Sequence, residues 1–230
     1  ALDAGMTCPN RDGTLGTGGC IFCSAGGSGD FASPAASACG EYSIRQQLLE
    51  GLSYFHTKKT GNRFIAYFQS YTNTYAPTGR LRSLYTEALE EPDVVGISIA
   101  TRPDCLGDDV IALLSSLKDS YPDKFIWVEL GLQTMHEDTA KFIRRGYPLS
   151  TFEEALNRLR AISVPVIVHV ILGLPHESKE MMIKTCNYLN SCHIDGIKLQ
   201  LLHVLKNTDL AALYEQKTFD ILSLEEYIDI

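Results

Sequence analysis

The chain has 230 residues and a mass of 25.4 kDa, with 45% apolar, 21% charged and 9% aromatic residues, which excludes a disordered or fibrous protein. Lys and Arg number 20 against 28 Asp and Glu, giving a net charge of −8 and a pI of about 5.2, a poor balance for sequence-blind binding to polyanions. No apolar run nears the ~20 residues of a membrane helix and nothing resembles a signal peptide, so a cytoplasmic protein with no membrane contact is expected.

Taken in chain order, a short strand is expected before Cys8, followed by a coil-rich stretch over 5–40. The capping box Ser43-x-x-Gln46 opens a helix over 43–55, with Ile44, Leu48, Leu52 and Phe55 on one face. Strands are predicted at 63–68, 94–99, 125–130, 164–172 and 196–204, most of them nearly continuous apolar runs, as in strands covered on both faces. Between them lie helices over 79–91, 108–118 and 179–192. Two more open at Thr134-x-x-Glu137 and at Ser150-x-x-Glu153, the latter with Phe152, Leu156, Leu159 and Ile162 as its stripe. A strand then a helix, repeated, makes six βα units of a parallel sheet. A partial barrel and a doubly wound sheet both fit, and in either one the loops after the strands carry the chemistry. Ala1 is not an initiator Met and 223–230 reads as a helix just starting, so residues 1–230 are expected to be one core domain truncated at both ends.

Seven cysteines, an odd count, do not suit a secreted disulfide framework in a chain of this length. Three of them form the spacing C-x11-C-x2-C at Cys8, Cys20 and Cys23, inside a glycine-rich loop. A C-x2-C pair lets two thiolates reach one metal centre. Three sulfurs neither close a tetrahedral zinc site nor fill the corners of a [4Fe–4S] cluster, and so leave a coordination position open for an outside ligand. The bland alternative is a zinc site closed by a fourth donor such as Cys39. Polar residues also end the successive strands: Gln69-Ser70-Tyr71, Thr101-Arg102, Glu129 with Gln133, and His169 with Gly173-Leu174-Pro175. Singly, Glu129 reads as an ion-pair partner, His169 as a core histidine, and Arg102 and Arg144 as solvated charges. Together, at one rim of a parallel sheet, they read as a site.

These segments resemble the radical S-adenosylmethionine (SAM) superfamily. Within it they are similar to the bacterial YhcC/YtqA-type group, which is related to the elongator-type tRNA enzymes and to oxygen-independent coproporphyrinogen oxidase. The motifs are Cys8-Pro9-Asn10-Arg11-Asp12-Gly13 with Gly18-Gly19-Cys20-x-Phe22-Cys23, then Gln69-Ser70-Tyr71-Thr72-Asn73, Thr101-Arg102-Pro103-Asp104, Gly131-Leu132-Gln133-Thr134, Arg145-Gly146-Tyr147 and His169 through Pro175. The resemblance implies a partial (β/α)6, TIM-like barrel with a [4Fe–4S] cluster on Cys8, Cys20 and Cys23 and SAM chelating the open iron. One electron then cleaves SAM to methionine and a 5′-deoxyadenosyl radical, which abstracts hydrogen from a substrate. Residue by residue, it implies Phe22 against adenine, Gln133 at the SAM ribose, Arg145 on the SAM carboxylate and His169 at a ribose hydroxyl. It also implies Gln69 or Ser70 near the methionine amino group, with Gly173 at the end of the strand that carries His169. Ala100 stands where relatives carry an acid, and Glu129 is the replacement. The affiliation implies a tRNA wobble uridine as target and a reductant such as flavodoxin or ferredoxin. A small-molecule substrate and a zinc-stabilised binding module without catalysis are the competing readings.

Overall fold

Strands that are apolar on both faces need cover on both, and parallel pairing with helical crossovers supplies it. In a computed structural model the described residues are 1–30, 32, 36–37, 40–41, 43–53 and 61–230. After a two-residue antiparallel pair, β1 (Ala36–Ser37) and β2 (Gly40–Glu41), and helix α1 (Ile44–Ser53), five strands follow: β3 (Phe64–Phe68), β4 (Val94–Thr101), β5 (Phe125–Gln133), β6 (Val166–Leu172) and β7 (Gly196–Leu201). They pair in parallel in sequence order, β3-β4-β5-β6-β7. Between them run α2 (Thr78–Glu90), α3 (Asp108–Ser120), α4 (Glu137–Phe142), α5 (Leu149–Ala161) and α6 (Lys179–Ser191), and α7 (Asp209–Glu215) and α8 (Leu224–Asp229) complete the chain.

The sheet curls into a half-barrel. In a flat sheet the outer strands would lie about 19 Å apart. Instead Lys198 of β7 donates from Nζ to the Tyr67 hydroxyl of β3 at 3.0 Å, and its ammonium sits 4.7 Å from the ring centroid of Tyr67. The expected sixth strand is reduced to a single parallel bridge, Leu2 beside Phe68, with Leu2 N donating to Tyr67 O at 2.7 Å and Gln69 N to Leu2 O at 3.2 Å. The cause is local. Asp3 Oδ1 accepts from Gly5 N, Gly5 turns at φ 63°, and the Gln47 side chain takes both the N–H and the carbonyl of Asp3 in place of a neighbouring strand.

Ser43 and Gln46 form the capping box expected of them, while Phe55 lies outside the described residues. Two expected caps do not form. The Thr134 hydroxyl bonds Glu177, and α4 starts at Glu137 with no side-chain cap; Glu137 itself accepts from Leu149 N. Helix α5 begins one residue before Ser150, and Glu153 accepts from the Tyr188 hydroxyl instead, yet Phe152, Leu156 and Leu159 are buried as its stripe requires. The main core lies between sheet and helices. A second, smaller cluster of Ile21, Ile143, Ile171, Leu174, Leu202 and Leu210 fastens the cysteine loop to the end of the barrel, with Leu210 N donating to Ile21 O at 3.0 Å.

Candidate functional site

The long first interval between cysteines is a loop folded back on itself. Gly19 N donates to Asn10 O at 2.8 Å and Leu15 N to Pro9 O at 2.8 Å, so Cys8 is brought next to the turn in which Cys23 N donates to Cys20 O at 3.0 Å. Arg11 reaches across to the carbonyls of Cys23 and Ser24. The turn after β3 completes the enclosure: Tyr71, at φ 60°, donates from N to Gly27 O and from its hydroxyl to Ala25 O. Gly27, at φ 60°, has no room for a Cβ, which would press into the Tyr71 ring.

Cys8, Cys20 and Cys23 line one cavity of about 160 Å³ at the C-terminal ends of the strands. All cysteines among the described residues are free thiols, and no three His, Cys, Asp or Glu side chains among those residues converge tightly enough to share one metal ion. Burial and the neighbouring Cys23 push the Cys20 thiol up to about 11, against the pull of Arg102 and the amide of Asn10. A free Cys20 is therefore a thiol at neutral pH, and a metal bound there must displace its proton.

Two of the residues that line the same cavity hold a buried polar atom without a hydrogen-bond partner, Gln133 Oε1 and Arg145 Nη2. Gln133, at φ 68°, pairs with Val170 just after β5 bulges at Leu132, at the cavity edge. Arg145 is 1% exposed. Its Nε donates to Tyr147 O and its Nη1 to Leu132 O and Thr134 O, leaving Nη2 with only a 3.6 Å approach to Glu137. The Arg102 and Arg145 guanidinium groups each lie 4.9 Å from the centroid of the Tyr147 ring. Arg102 is not a solvated charge: it is 8% exposed, clamps Asp104 bidentately and donates to Arg145 O at 3.0 Å. Arg144 is half-exposed and paired with Asp209.

On the barrel side Glu129 gathers four partners. His169 Nε2 lies 2.5 Å from Oε2, Lys198 Nζ donates to Oε2 at 3.3 Å, Ser98 donates to Oε1 at 2.5 Å, and the Tyr67 hydroxyl is adjacent. Burial alone would raise this carboxyl above its ordinary 4.5, but the hydrogen bonds from His169 and Ser98 and the charges of His169 and Lys198 outweigh it and hold the group at about 2. With a depressed value in the folded state, the stabilisation is present above the ordinary pKa and lost as pH falls through about 2. We therefore expect Glu129→Gln to lower stability at pH 7 by about 2 kcal/mol and to flatten the acid limb below about pH 4.5. Urea unfolding at a series of pH values checks this; parallel wild-type and variant curves would contradict it.

Of the residues singled out from sequence, Phe22, Gln69, Glu129, Gln133, Arg145 and His169 line the cavity with the three thiols. Ser70 and Gly173 do not. Ser70 is 1% exposed and packs against Gly29, and Gly173, at φ 85°, faces Leu222 and donates to Met182 Sδ at 3.0 Å. Gln69 also spends its amide N–H on Ser28 O. Tyr67, Lys198 and Gln200 were not foreseen, although the polar–apolar alternation Lys198-Leu199-Gln200 within β7 already placed both polar residues on one face.

Family models of the radical SAM superfamily and of the radical SAM C-terminal domain match residues 12–189 and 194–230. YtqA of Bacillus subtilis is 44% identical over 230 residues, which is all of this chain and 69% of that protein. A tRNA uridine(34) acetyltransferase of Methanocaldococcus jannaschii is 27% identical over 139 residues, 59% of this chain and 25% of that protein. Among solved structures, the archaeal Methanocaldococcus infernus Elp3 superposes with a TM-score of 0.65 at 19% identity, covering 81% of this chain and 47% of that one, and so shares the fold. Both family matches, together spanning nearly the whole length, and the relative at 44% identity place the chain in one family: it belongs to the radical SAM superfamily.

Proposed function

We propose that this chain is the core of a radical SAM enzyme that carries a [4Fe–4S] cluster on Cys8, Cys20 and Cys23, binds SAM beside it and acts on a tRNA wobble uridine. The observation that carries the cofactor reading is one cavity lined by three free thiols and by Gln133 and Arg145, whose Oε1 and Nη2, an acceptor and a donor, are buried without a hydrogen-bond partner. The donor set fits the group. Three thiols that face a common space without meeting at one point suit a polynuclear cluster, whose ligands sit on separate irons, better than a single zinc ion.

When bound, the cluster supplies the electron that cleaves SAM. The protein's part is binding and orientation. Gln133 Oε1 can accept from a ribose hydroxyl, Arg145 Nη2 can donate to the SAM carboxylate, and the Phe22 ring offers an apolar face for adenine. Glu129 holds Nε2 of His169, so the other ring nitrogen is the one left for a ligand hydroxyl. Gln69 is the side chain nearest the role of an amino-group contact, while Ser70 and Gly173 take no part. Tyr71, folded over the cysteine loop with Gly27, helps to keep water from the site. The electron comes from a small reductant such as flavodoxin or ferredoxin.

The tRNA half is supported by the similarity to the tRNA uridine(34) acetyltransferase. Its test is a comparison of modified nucleosides in tRNA from cells with and without the gene. Loss or truncation of one wobble-uridine modification is expected; an unchanged nucleoside profile would move small-molecule substrates ahead.

A further inference from the structure

We propose that Asn10 is a positioning residue for the cluster, its side-chain amide donating to the Cys20 sulfur and so raising the potential at which the cluster accepts an electron. The inference rests on the cofactor reading above.

Asn10 is 6% exposed, and its Nδ2 lies 3.5 Å from Cys20 Sγ, 2.7 Å from Arg144 O and 3.3 Å from Arg145 O. A primary amide has two N–H hydrogens, enough for one to serve the carbonyls and the other the sulfur. The surrounding backbone dictates which way the amide faces. Two carbonyl oxygens would repel Oδ1 in the place of Nδ2, so the nitrogen end points at the sulfur. Gly146, at φ 88°, leaves the space that Oδ1 needs, since a Cβ there would sit 2.7 Å from it. From its own carbonyl Asn10 also accepts Gly19 N, so the same residue closes the loop and reaches the ligand.

The contact singles out Cys20. Among the described residues no side-chain amide is placed on the sulfur of Cys8 or Cys23, and Cys23 Sγ has only the Ser28 hydroxyl at 3.9 Å. An N–H donor on a ligand sulfur stabilises the more negative, reduced cluster and raises its potential. A neutral amide does this without adding charge to a site that already holds Arg102 and Arg145.

The test is an EPR-monitored redox titration of the reconstituted wild type beside Asn10→Ala, which removes the donor, and Asn10→Asp, which replaces it with an acceptor of the same shape. At matched iron and sulfide content both variants are expected to shift to more negative potential, Asp further than Ala. Potentials equal to wild type would overturn the proposal. Where a variant loses its cluster, wild-type protein labelled with ¹⁵N only in asparagine side-chain amides is read by pulsed EPR of the reduced cluster. A ¹⁵N coupling is expected there, and its absence overturns the proposal. A wild type that assembles no cluster removes the cofactor reading and this inference with it, whereas a normal wild-type cluster with unshifted variants removes this inference alone.

Discussion

Cys20→Ala is expected to fold, to hold no [4Fe–4S] cluster after anaerobic reconstitution, and to bring SAM cleavage down to background. Of the three thiols Cys20 is the most entangled with the surrounding structure: its sulfur meets Asn10 Nδ2 and the Arg144 carbonyl, and Cys23 lies one short turn away. Two remaining thiolates cannot hold three irons, so the effect is loss of the centre rather than a graded weakening. The half-buried side chain is small, and thermal melting of the apoprotein should change little. Cys105→Ala is the control. Cys105 sits at the end of the short helical turn Pro103–Cys105, its thiol pushed up to about 12 by burial and by Asp104, and it does not line the cavity. That variant should keep full iron content. Iron retained in Cys20→Ala, or lost only in Cys105→Ala, would refute the ligand set.

Arg145→Ala is expected to injure both the fold and SAM binding. The resemblance alone implies an arginine free to meet a carboxylate, but the structure gives most of this guanidinium to the protein. Leu132 O, Thr134 O and Tyr147 O all lose a donor when it is removed, and one face of Tyr147 loses its cation. Leu132 O still accepts from Thr134 N at 2.9 Å, so two carbonyls, Thr134 O and Tyr147 O, lose their side-chain donor outright; at about 1–3 kcal/mol for each buried carbonyl left unpaired, a loss of roughly 2 kcal/mol or more is expected in urea unfolding of the apoprotein. Removal of Nη2, which no carbonyl engages, should weaken SAM binding roughly tenfold to a hundredfold in variant protein that still holds its cluster. Arg145→Lys separates the two effects. An ammonium cannot span three carbonyls arranged for a planar fork, so stability falls while one charge remains for SAM. Wild-type unfolding in Arg145→Ala would contradict the structural half, and an unchanged SAM dissociation constant the binding half.

What the sequence reveals and what it hides divides along the range of the interactions. The five strands were legible because strands covered on both faces are written as continuous apolar runs, and β4, buried from Gly96 to Thr101, is the clearest case. The three cysteines that line the cavity were legible because their spacing is local. The caps at Thr134 and Ser150 were misread because tertiary partners claimed the cap residues, Glu177 taking the Thr134 hydroxyl and Tyr188 the Glu153 carboxylate. Helix α7 was missed because it is seven residues long and buries only Leu210, although the cap Thr208, which accepts from Ala211 N, stands plainly before it. Tyr67 and Lys198 meet across 131 residues because the sheet curls, and no window along the chain reports that. Glu129 is an ion-pair partner, of Lys198, and it also lines the cavity within the half-barrel.

Mössbauer spectroscopy of the wild-type protein reconstituted with ⁵⁷Fe, recorded with and without SAM, bears most directly on the three-thiol cavity. A [4Fe–4S] signal is expected in which one iron differs from the other three, and adding SAM should shift that one iron alone. Four equivalent irons indifferent to SAM, or stoichiometric zinc with no cluster, would contradict it.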